Sequence, residues 1–166
     1  LMKLFGHDTS PYVRRARVLL DELGLPFARD TAGWSNPSAE FLRTNPLLRV
    51  PALVDGDNVL LDSRLIATYL YDRVAREGLP LPSAAPPIQP TLYRPAHRYH
   101  DENLLLAIDA ATDSLINVFL LELDGVPASA SAYLQRQGAR AQRCLEFLEG
   151  AYAGQGSLAP GALAYI

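Results

Sequence analysis

Ser10 is the first residue whose type and position in the chain suggest chemistry. It precedes Pro11 where a helical apolar period begins, so Ser10 is predicted to be the N-cap and Pro11 the first helical residue. The free N–H groups at such a helix start and the positive end of the helix dipole favour a bound anion. The Ser10 hydroxyl is therefore a candidate for stabilising negative charge on a ligand. A plain capping role is the alternative, and Thr9 is the second candidate hydroxyl.

Asp62 and Ser63 stand at the start of another predicted helix, which Ser63 is expected to cap. The Ser63 hydroxyl and the free backbone amides suit a ligand carboxylate, and the Asp62 carboxylate suits a ligand amino group. Arg49 offers a guanidinium that can pair with a ligand carboxylate. The residues alone leave two alternatives open, which are plain helix capping by Asp62 and Ser63 and a solvated Arg49.

Apolar periodicity places these residues in a βαβαββα half of the chain. Short strands are predicted over 2–5, 27–31, 52–54 and 59–61. Helices are predicted from Pro11 to a stop at Gly24, over 37–44, and from Ser63 to a stop at Gly78. The segment between the last two strands carries the turn residues of a β-hairpin.

A proline-rich segment separates this half from a helical one. We interpret residues 78–90 as a linker between a first domain, 1–77, and a second domain, 91–166. One apolar face of a long helix is predicted to hold Tyr93, His97, His100, Leu104, Ile108, Ala111, Leu115 and Phe119. A second helix is predicted over 129–152, with Cys144 as a small buried residue, and a third begins near Ser157.

The composition is that of a soluble globular chain, with 166 residues, 49% of them apolar, and a formal net charge of −3. A single cysteine excludes an internal disulfide and favours a reducing compartment, so a cytoplasmic location is expected. No apolar run approaches the ~20 residues of a membrane span, and no leader sequence is visible, so neither membrane insertion nor secretion is expected. The acidic balance argues against a nucleic-acid partner.

A metal site is considered on the second half of the chain, where His97, His100 and Asp101 share one helix face. No third histidine lies nearby in the sequence. We therefore expect no metal, and packing of this face is the simpler interpretation.

Three segments of the first half together resemble the cytosolic glutathione transferases across residues 2–77. They run from Ser10-Pro11-Tyr12 to Arg17, from Asn45-Pro46 to Leu53, and from Leu61-Asp62-Ser63 to Leu70. The resemblance implies a thioredoxin-like α/β domain followed by an all-α domain. It also implies glutathione as co-substrate, a small electrophile as second substrate, a role in detoxification, and a homodimer.

The resemblance also implies roles for individual residues. Ser10 stands where the serine-type classes stabilise the glutathione thiolate, whose pKa would fall from about 8.5 towards neutrality. Val50 would precede a cis Pro51 and offer its backbone N–H and C=O to the tripeptide, although the dipeptide alone favours a trans bond. Arg49, Asp62 and Ser63 would hold the ends of glutathione. Tyr12, Tyr93 and His97 are the candidates for the wall of the electrophile pocket, with core packing as the alternative for Tyr93 and His97.

The chain departs from the family pattern at three places. Leu47-Leu48 stands where a small residue is usual before the cis-proline, Pro160 stands where an acidic capping residue is usual, and the sequence ends at Ile166, short of a complete family member. The competing hypothesis is a non-catalytic binding or regulatory protein on the same scaffold. Both hypotheses require Ser10, Val50 and Ser63 to converge on one cleft.

Overall fold

A computed structural model describes residues 1–79 and 95–153 of the chain. The described residues form two compact units, with 1–79 in the first and 95–153 in the second. Most of the predicted linker, Tyr93 and the helix predicted near Ser157 lie outside the described residues. The domain boundaries stay a prediction.

The first unit has the predicted βαβαββα order and a thioredoxin-like fold. Its elements are β1 (Met2–Phe5), α1 (Pro11–Glu22), β2 (Phe27–Asp30), α2 (Ala39–Thr44), β3 (Ala52–Asp55), β4 (Asn58–Leu60) and α3 (Ser63–Glu77). The strands form one sheet in the order β2-β1-β3-β4. β1 runs parallel to β2 and antiparallel to β3, and β3 forms the predicted hairpin with β4.

The strand register brings the candidate loops to one end of the sheet. Phe5, the last residue of β1, pairs with Ala52, the first residue of β3, and also with the end of β2. Leu60, the last residue of β4, pairs with Leu53. The loops 6–10, 49–51 and 61–62 therefore meet at this end, where α1 and α3 both begin.

The helix ends of this unit follow local signals. Ser10 is the N-cap of α1 and Pro11 its first residue, as predicted. Gly78 ends α3 in the left-handed conformation, at φ 58°. The cap assigned to Ser63 is wrong, because Asp62 caps α3 and accepts hydrogen bonds from the N–H groups of Arg64 and Leu65. A carboxylate one position earlier reaches two free amides, which leaves Ser63 as the first helical residue.

A cluster of buried apolar side chains lies under the candidate loops. Phe5, Ala32, Phe41 and Ala52 form it, and Leu48 and Val50 pack against it. Rings of Phe5 and Phe41 lie 6.1 Å apart between centroids, within the range of favourable aromatic pairs. Leu48 and Val50 belong to the segment before β3, so this segment is held by packing against the cluster as well as by hydrogen bonds.

An ion pair ties the hairpin to α3. The Asp55 carboxylate accepts hydrogen bonds of 2.7 Å from the Tyr69 hydroxyl and from the Arg73 guanidinium. The hydrogen bond to Asp55 raises the pKa of Tyr69 above its ordinary value. The middle of α3 is thereby tied to the sheet.

The second unit is helical in its described part. It contains a 3-10 turn (Pro95–His97), α4 (Arg98–Leu123), a second 3-10 turn (Ala128–Ala130) and α5 (Ala132–Tyr152), and α4 packs against α5. Gly125, at φ 82°, and Pro127 end α4 as predicted. No side chain caps the start of α4 by a hydrogen bond.

The predicted buried face of α4 is wrong in part. The buried residues are Asp101, Leu104, Leu105, Ala111 and Ser114. His97 and His100 are exposed, and Phe119 keeps 58% of its surface exposed. The helix itself carries apolar residues on several sides, so the apolar periodicity of the sequence does not select one buried stripe. Cys144 on α5 was predicted to be buried, but it is only half-buried.

The apolar character of α4 has one further consequence. By length and composition alone this helix could cross a membrane, with a mean hydropathy of 1.8 in its most apolar window. Core helices of soluble domains meet the same criterion, so this is weak support for a membrane segment.

Candidate active site

The loop between β1 and α1 forms a tight turn that positions Ser10. The Ser10 N–H donates to the His7 carbonyl at 3.2 Å. Ser10 is 7% exposed, and its hydroxyl accepts a hydrogen bond from the Val13 N–H at 3.4 Å. The hydroxyl accepts in this capping bond through a lone pair, so its proton remains available for donation to a ligand.

Gly6 allows this loop to touch the segment before β3. Its φ of 136° is rarely accessible to other residues, and a Cβ placed there would lie 2.3 Å from Val13 Cγ2 and 3.0 Å from Val50 Cβ. The Gly6 backbone therefore fills a space between α1 and Val50 that has no room for a side chain. The loop that carries Ser10 therefore packs against Val50 at Gly6.

The Val50–Pro51 peptide bond is cis, as the family resemblance implied. Neither the N–H nor the C=O of Val50 forms a hydrogen bond to any residue within 1–79 or 95–153. Pro51 is buried, and Val50 is half-buried. An unpaired donor and acceptor on one residue form the edge to which an extended peptide can add.

Asn45 shapes the loop that leads to Val50. This fully buried side chain donates to the Arg49 carbonyl at 2.6 Å and accepts from the Leu47 N–H at 3.1 Å. Between them Leu48 adopts a positive φ of 53°, which is uncommon for a residue other than glycine. Leu48 belongs to the Leu47-Leu48 pair that departs from the family pattern. It fits here in a left-handed backbone conformation, with its side chain packed on the apolar cluster.

Ser63 presents two free groups at the start of α3. It is 4% exposed, and neither its hydroxyl nor its N–H has a hydrogen-bond partner among the residues that the structure describes. One oxygen of Asp62, Oδ1, is used in capping, while Oδ2 makes no hydrogen bond in the same part of the chain. The arrangement can hold a carboxylate at Ser63 and a cation at Asp62.

An ion-pair network that the sequence analysis did not identify braces the Ser10 loop. Asp8 lies 2.7 Å from the Arg17 guanidinium and 3.0 Å from that of Arg29, which also donates to the Gly6 carbonyl at 2.8 Å. The hydrogen bond and charge of Arg29, with a smaller contribution from Arg17, hold the pKa of Asp8 below its ordinary value. No local pattern relates Asp8 to a residue on β2, so the sequence carried no signal for this pair.

His7 and Thr9 form a second unpredicted contact. The His7 Nδ1 and the Thr9 hydroxyl lie 2.8 Å apart. Thr9 is exposed and hydrogen-bonded to an imidazole, whereas Ser10 is buried at the helix start. These surroundings differ enough for the two hydroxyls to be separated by mutation.

The structure gives less information on the other predicted site residues. Arg49 is exposed, and its side chain has no partner among the described residues. Tyr12 is half-buried with its ring 5.4 Å from the Arg15 guanidinium. His97 is exposed in the second unit, and Tyr93 lies outside the described residues. No group of three or more potential metal ligands occurs in the described ranges.

Comparison with known proteins shows what the first unit is similar to. Residues 4–78 match the family model of the glutathione S-transferase N-terminal domain. The first unit is therefore similar to the N-terminal domain of the glutathione S-transferases. The match covers the sheet, the cis-proline and both helix starts of the candidate site.

Two curated proteins and one solved structure illustrate the similarity. Glutathione S-transferase 3 of Zea mays is 37% identical over 105 residues, which is 60% of this chain and 47% of that protein. A stringent starvation protein A homolog of Haemophilus ducreyi is 37% identical over 73 residues, 44% of this chain and 34% of that protein. A glutathione transferase family member from Pseudomonas fluorescens Pf-5, solved with bound glutathione, has 28% identity and a TM-score of 0.64, covering 90% of this chain and 71% of that one.

The family-model match lies within the first unit. The chain spans about half the length of the maize transferase and about a third of the starvation-protein homolog.

Proposed function

We propose that the protein is a glutathione transferase that activates the glutathione thiolate at Ser10. The observation that carries the proposal is the convergence, at one end of the sheet, of the α1 start, the α3 start and the unpaired backbone of Val50. An extended tripeptide with a carboxylate at either end and a thiol between them matches these three groups. The P. fluorescens relative, solved with bound glutathione, adds support.

Val50 would position the central residue of glutathione. Its free N–H and C=O pair with the backbone of the cysteinyl residue in the antiparallel manner of strand addition. Since Gly6 brings the Ser10 loop against Val50, the thiol would lie next to the start of α1. Backbone pairing therefore determines which ligand atom meets Ser10.

Ser63, Asp62 and Arg49 would hold the ends of the tripeptide. The hydroxyl and N–H of Ser63 donate to the carboxylate of the γ-glutamyl end, and Asp62 accepts from its amino group. Arg49, exposed and without a partner among the described residues, pairs with a ligand carboxylate. Two anchored ends keep the sulfur in place during reaction.

Ser10 would stabilise the thiolate that attacks the electrophile. The thiol proton leaves to solvent, the Ser10 hydroxyl donates to the sulfur, and the α1 dipole adds a favourable potential. The sulfur then forms a bond to an electrophilic carbon, and the leaving group departs with the bonding electrons. A larger thiolate fraction at neutral pH raises the rate of this step.

The wider setting of the reaction is part of the same proposal. A detoxifying role and a homodimer rest on the family resemblance, and a cytoplasmic location rests on the single cysteine. Tyr12 stays the candidate of the first unit for contact with the electrophile.

Replacing Ser63 by alanine tests the proposed binding mode. Because a charge-assisted hydrogen bond would be lost, we expect the Kd for glutathione, measured by calorimetric titration, to rise about tenfold or more. Ser35→Ala is the matched control, since Ser35 is exposed in the same unit and has no hydrogen bond among the described residues. Equal Kd values for Ser63→Ala and the wild type would contradict the binding mode.

A second candidate function is a non-catalytic binding protein on this scaffold. The 37% identity over 73 residues to a stringent starvation protein A homolog favours it, because the name of that relative states no transferase activity. Such a protein would bear the fold and lack an activated thiolate. Glutathione binding without thiolate formation would favour this function over the transferase.

A further inference from the structure

The turn between β1 and α1 carries Ser10 and has few backbone hydrogen bonds. Gly6 is held at its N–H, which donates to the Asp30 carbonyl at 2.8 Å. The turn over 7–9 is closed by the contact from the Ser10 N–H to the His7 carbonyl, at 3.2 Å. Within the part of the chain that the structure describes, this turn makes no other backbone–backbone hydrogen bond. Side chains therefore decide how the turn is held against the sheet.

Arg29 on β2 contacts this turn at two points. Its Nη2 donates to the Gly6 carbonyl at 2.8 Å and to Asp8 Oδ1 at 3.0 Å. Arg17 on α1 reaches the same Asp8 oxygen with its Nη1 at 2.7 Å. The turn is thus tied to a strand on one side and, on the other, to the helix that begins after Ser10.

The Arg29 guanidinium is placed by these contacts and not by the pairing of all its donors. Its Nε is buried and has no hydrogen-bond partner among residues 1–79 and 95–153, although the side chain keeps 24% of its surface exposed. Leaving a buried donor unpaired is unfavourable. The two contacts from Nη2 to the turn offset this loss, which indicates that the side chain serves to hold the turn.

Asp8 depends on the two arginines for its position. Its side chain is 62% exposed, and its carboxylate has no partner besides Arg17 and Arg29 within the described ranges. The hydrogen bond and charge of Arg29 hold the pKa of Asp8 below its ordinary value, so Asp8 is ionised throughout the neutral range in which a bound thiol would titrate. Exposed ion pairs of this kind add little to stability, so their loss should move the turn without unfolding the unit.

We propose that Arg29 is a positioning residue for Ser10, which holds the turn at Gly6 and Asp8 so that the Ser10 hydroxyl meets the thiolate of bound glutathione. The inference rests on the proposed function and adds a residue that no local sequence pattern links to the site. Arg29 acts through the turn and needs no contact with either substrate. Its effect is therefore on the reactivity of the bound sulfur and not on the affinity for the tripeptide.

Replacing Arg29 by glutamine tests the effect on the reaction. We expect kcat/KM for glutathione and 1-chloro-2,4-dinitrobenzene to fall about tenfold, because a small displacement of a positioned group has effects of at least this size. The loss should lie in kcat, with KM for glutathione nearly unchanged. Kd for S-methylglutathione, which has no thiol to ionise, should stay that of the wild type in a calorimetric titration. Unchanged kcat/KM, or an equal loss of S-methylglutathione affinity, would overturn the proposal.

A double-mutant cycle shows whether Arg29 acts through Ser10. In the Ser10→Ala background Arg29→Gln should lower kcat/KM less than about twofold, because the hydroxyl that the turn positions is already absent. A general structural role would lower the rate by the same factor in both backgrounds, and equal factors would refute the positioning role. An inactive wild type would instead refute the proposed function itself, so the two failures are distinguishable.

Arg73→Gln is the matched control, because it makes the same change at an ion pair elsewhere in the unit. Arg73 donates to Asp55 at 2.7 Å, and 25% of its side chain is exposed, but it lies in the middle of α3. This variant should keep the kcat/KM of the wild type. A loss equal to that in Arg29→Gln would show that any broken ion pair of the unit has this effect, and the proposal would fail.

Asp8→Asn gives a second test at an exposed side chain, where burial does not constrain the substitution. The variant keeps an oxygen as acceptor but loses the charge, so both guanidinium contacts to the turn weaken. We expect kcat/KM to fall, by less than in Arg29→Gln, because the contact from Arg29 to the Gly6 carbonyl remains. A kcat/KM equal to that of the wild type would contradict a role of this ion pair in positioning Ser10.

Discussion

Replacing Ser10 by alanine is expected to lower kcat/KM for conjugation of glutathione to 1-chloro-2,4-dinitrobenzene by about 100- to 1,000-fold. Loss of one hydrogen-bond donor to a developing or resting anion in a preorganised site has effects of this size. KM for glutathione should change less, because in the proposed binding mode Val50 and Ser63 would hold the tripeptide by groups that the substitution leaves in place. Initial rates at neutral pH, measured over both substrates, give the two quantities.

Two control variants separate the chemistry from helix capping. Ser10 is also the N-cap of α1, and loss of a cap costs about 1 kcal/mol of stability. Ser38→Ala removes the equivalent cap of α2, whose hydroxyl accepts from Phe41, and should leave the rate nearly unchanged. Thr9→Val should also keep most of the activity, since Thr9 is exposed and bonded to His7. If Thr9→Val lost the activity and Ser10→Ala kept it, the catalytic hydroxyl would be Thr9.

Gly6→Ala is expected to destabilise the first unit by about 3–5 kcal/mol, which combines backbone strain with overpacking. The added methyl group would lie 2.3 Å from Val13 Cγ2, at a φ of 136° that alanine rarely adopts. Either α1 or the Val50 segment would have to move, so glutathione binding should fall together with stability. Urea unfolding followed by circular dichroism measures the free energy of unfolding.

Gly56→Ala is the matched control for Gly6→Ala. Gly56 has a positive φ of 58° in the hairpin turn, and a Cβ there would meet no atom within 4 Å. The substitution therefore carries the backbone cost alone, about 1–2 kcal/mol. Similar losses of stability in the two variants would mean that the close packing around Gly6 is not what limits substitution there.

Much of the first unit is predictable because its signals are local. The cap at Ser10, the proline after it and the glycines that end the helices each act within a few residues, so sequence spacing alone locates them. The cap of α3 shows the limit of such signals, since Asp62 and Ser63 are both good caps and adjacent. Which one takes the role depends on where the helix geometry begins.

The rest of the site depends on contacts that are distant in sequence. Asp8 pairs with Arg29, and Gly6 touches Val50, because the sheet brings β1, β2 and β3 together. Such pairs have no fixed spacing along the chain. The cis bond at Val50–Pro51 is likewise not encoded by the dipeptide, which favours trans. It was anticipated only through the family resemblance of the flanking segments.

The prediction of the buried face of α4 was partly wrong for a different reason. A helix with apolar residues on several sides gives no unique stripe, so burial is decided by the neighbours that cover it. Cys144 on α5, predicted to be buried, is half-buried in the structure.

The measurement that tests the transferase proposal most directly is an ultraviolet difference titration of glutathione bound to the wild-type protein. The thiolate absorbs where the thiol does not, so its appearance with pH gives the pKa of the bound sulfur. We expect this pKa to lie at least about one unit below the free value of about 8.5, and to return upward in Ser10→Ala. Saturable binding of glutathione with an unshifted thiol pKa, or no binding at all, would contradict the account.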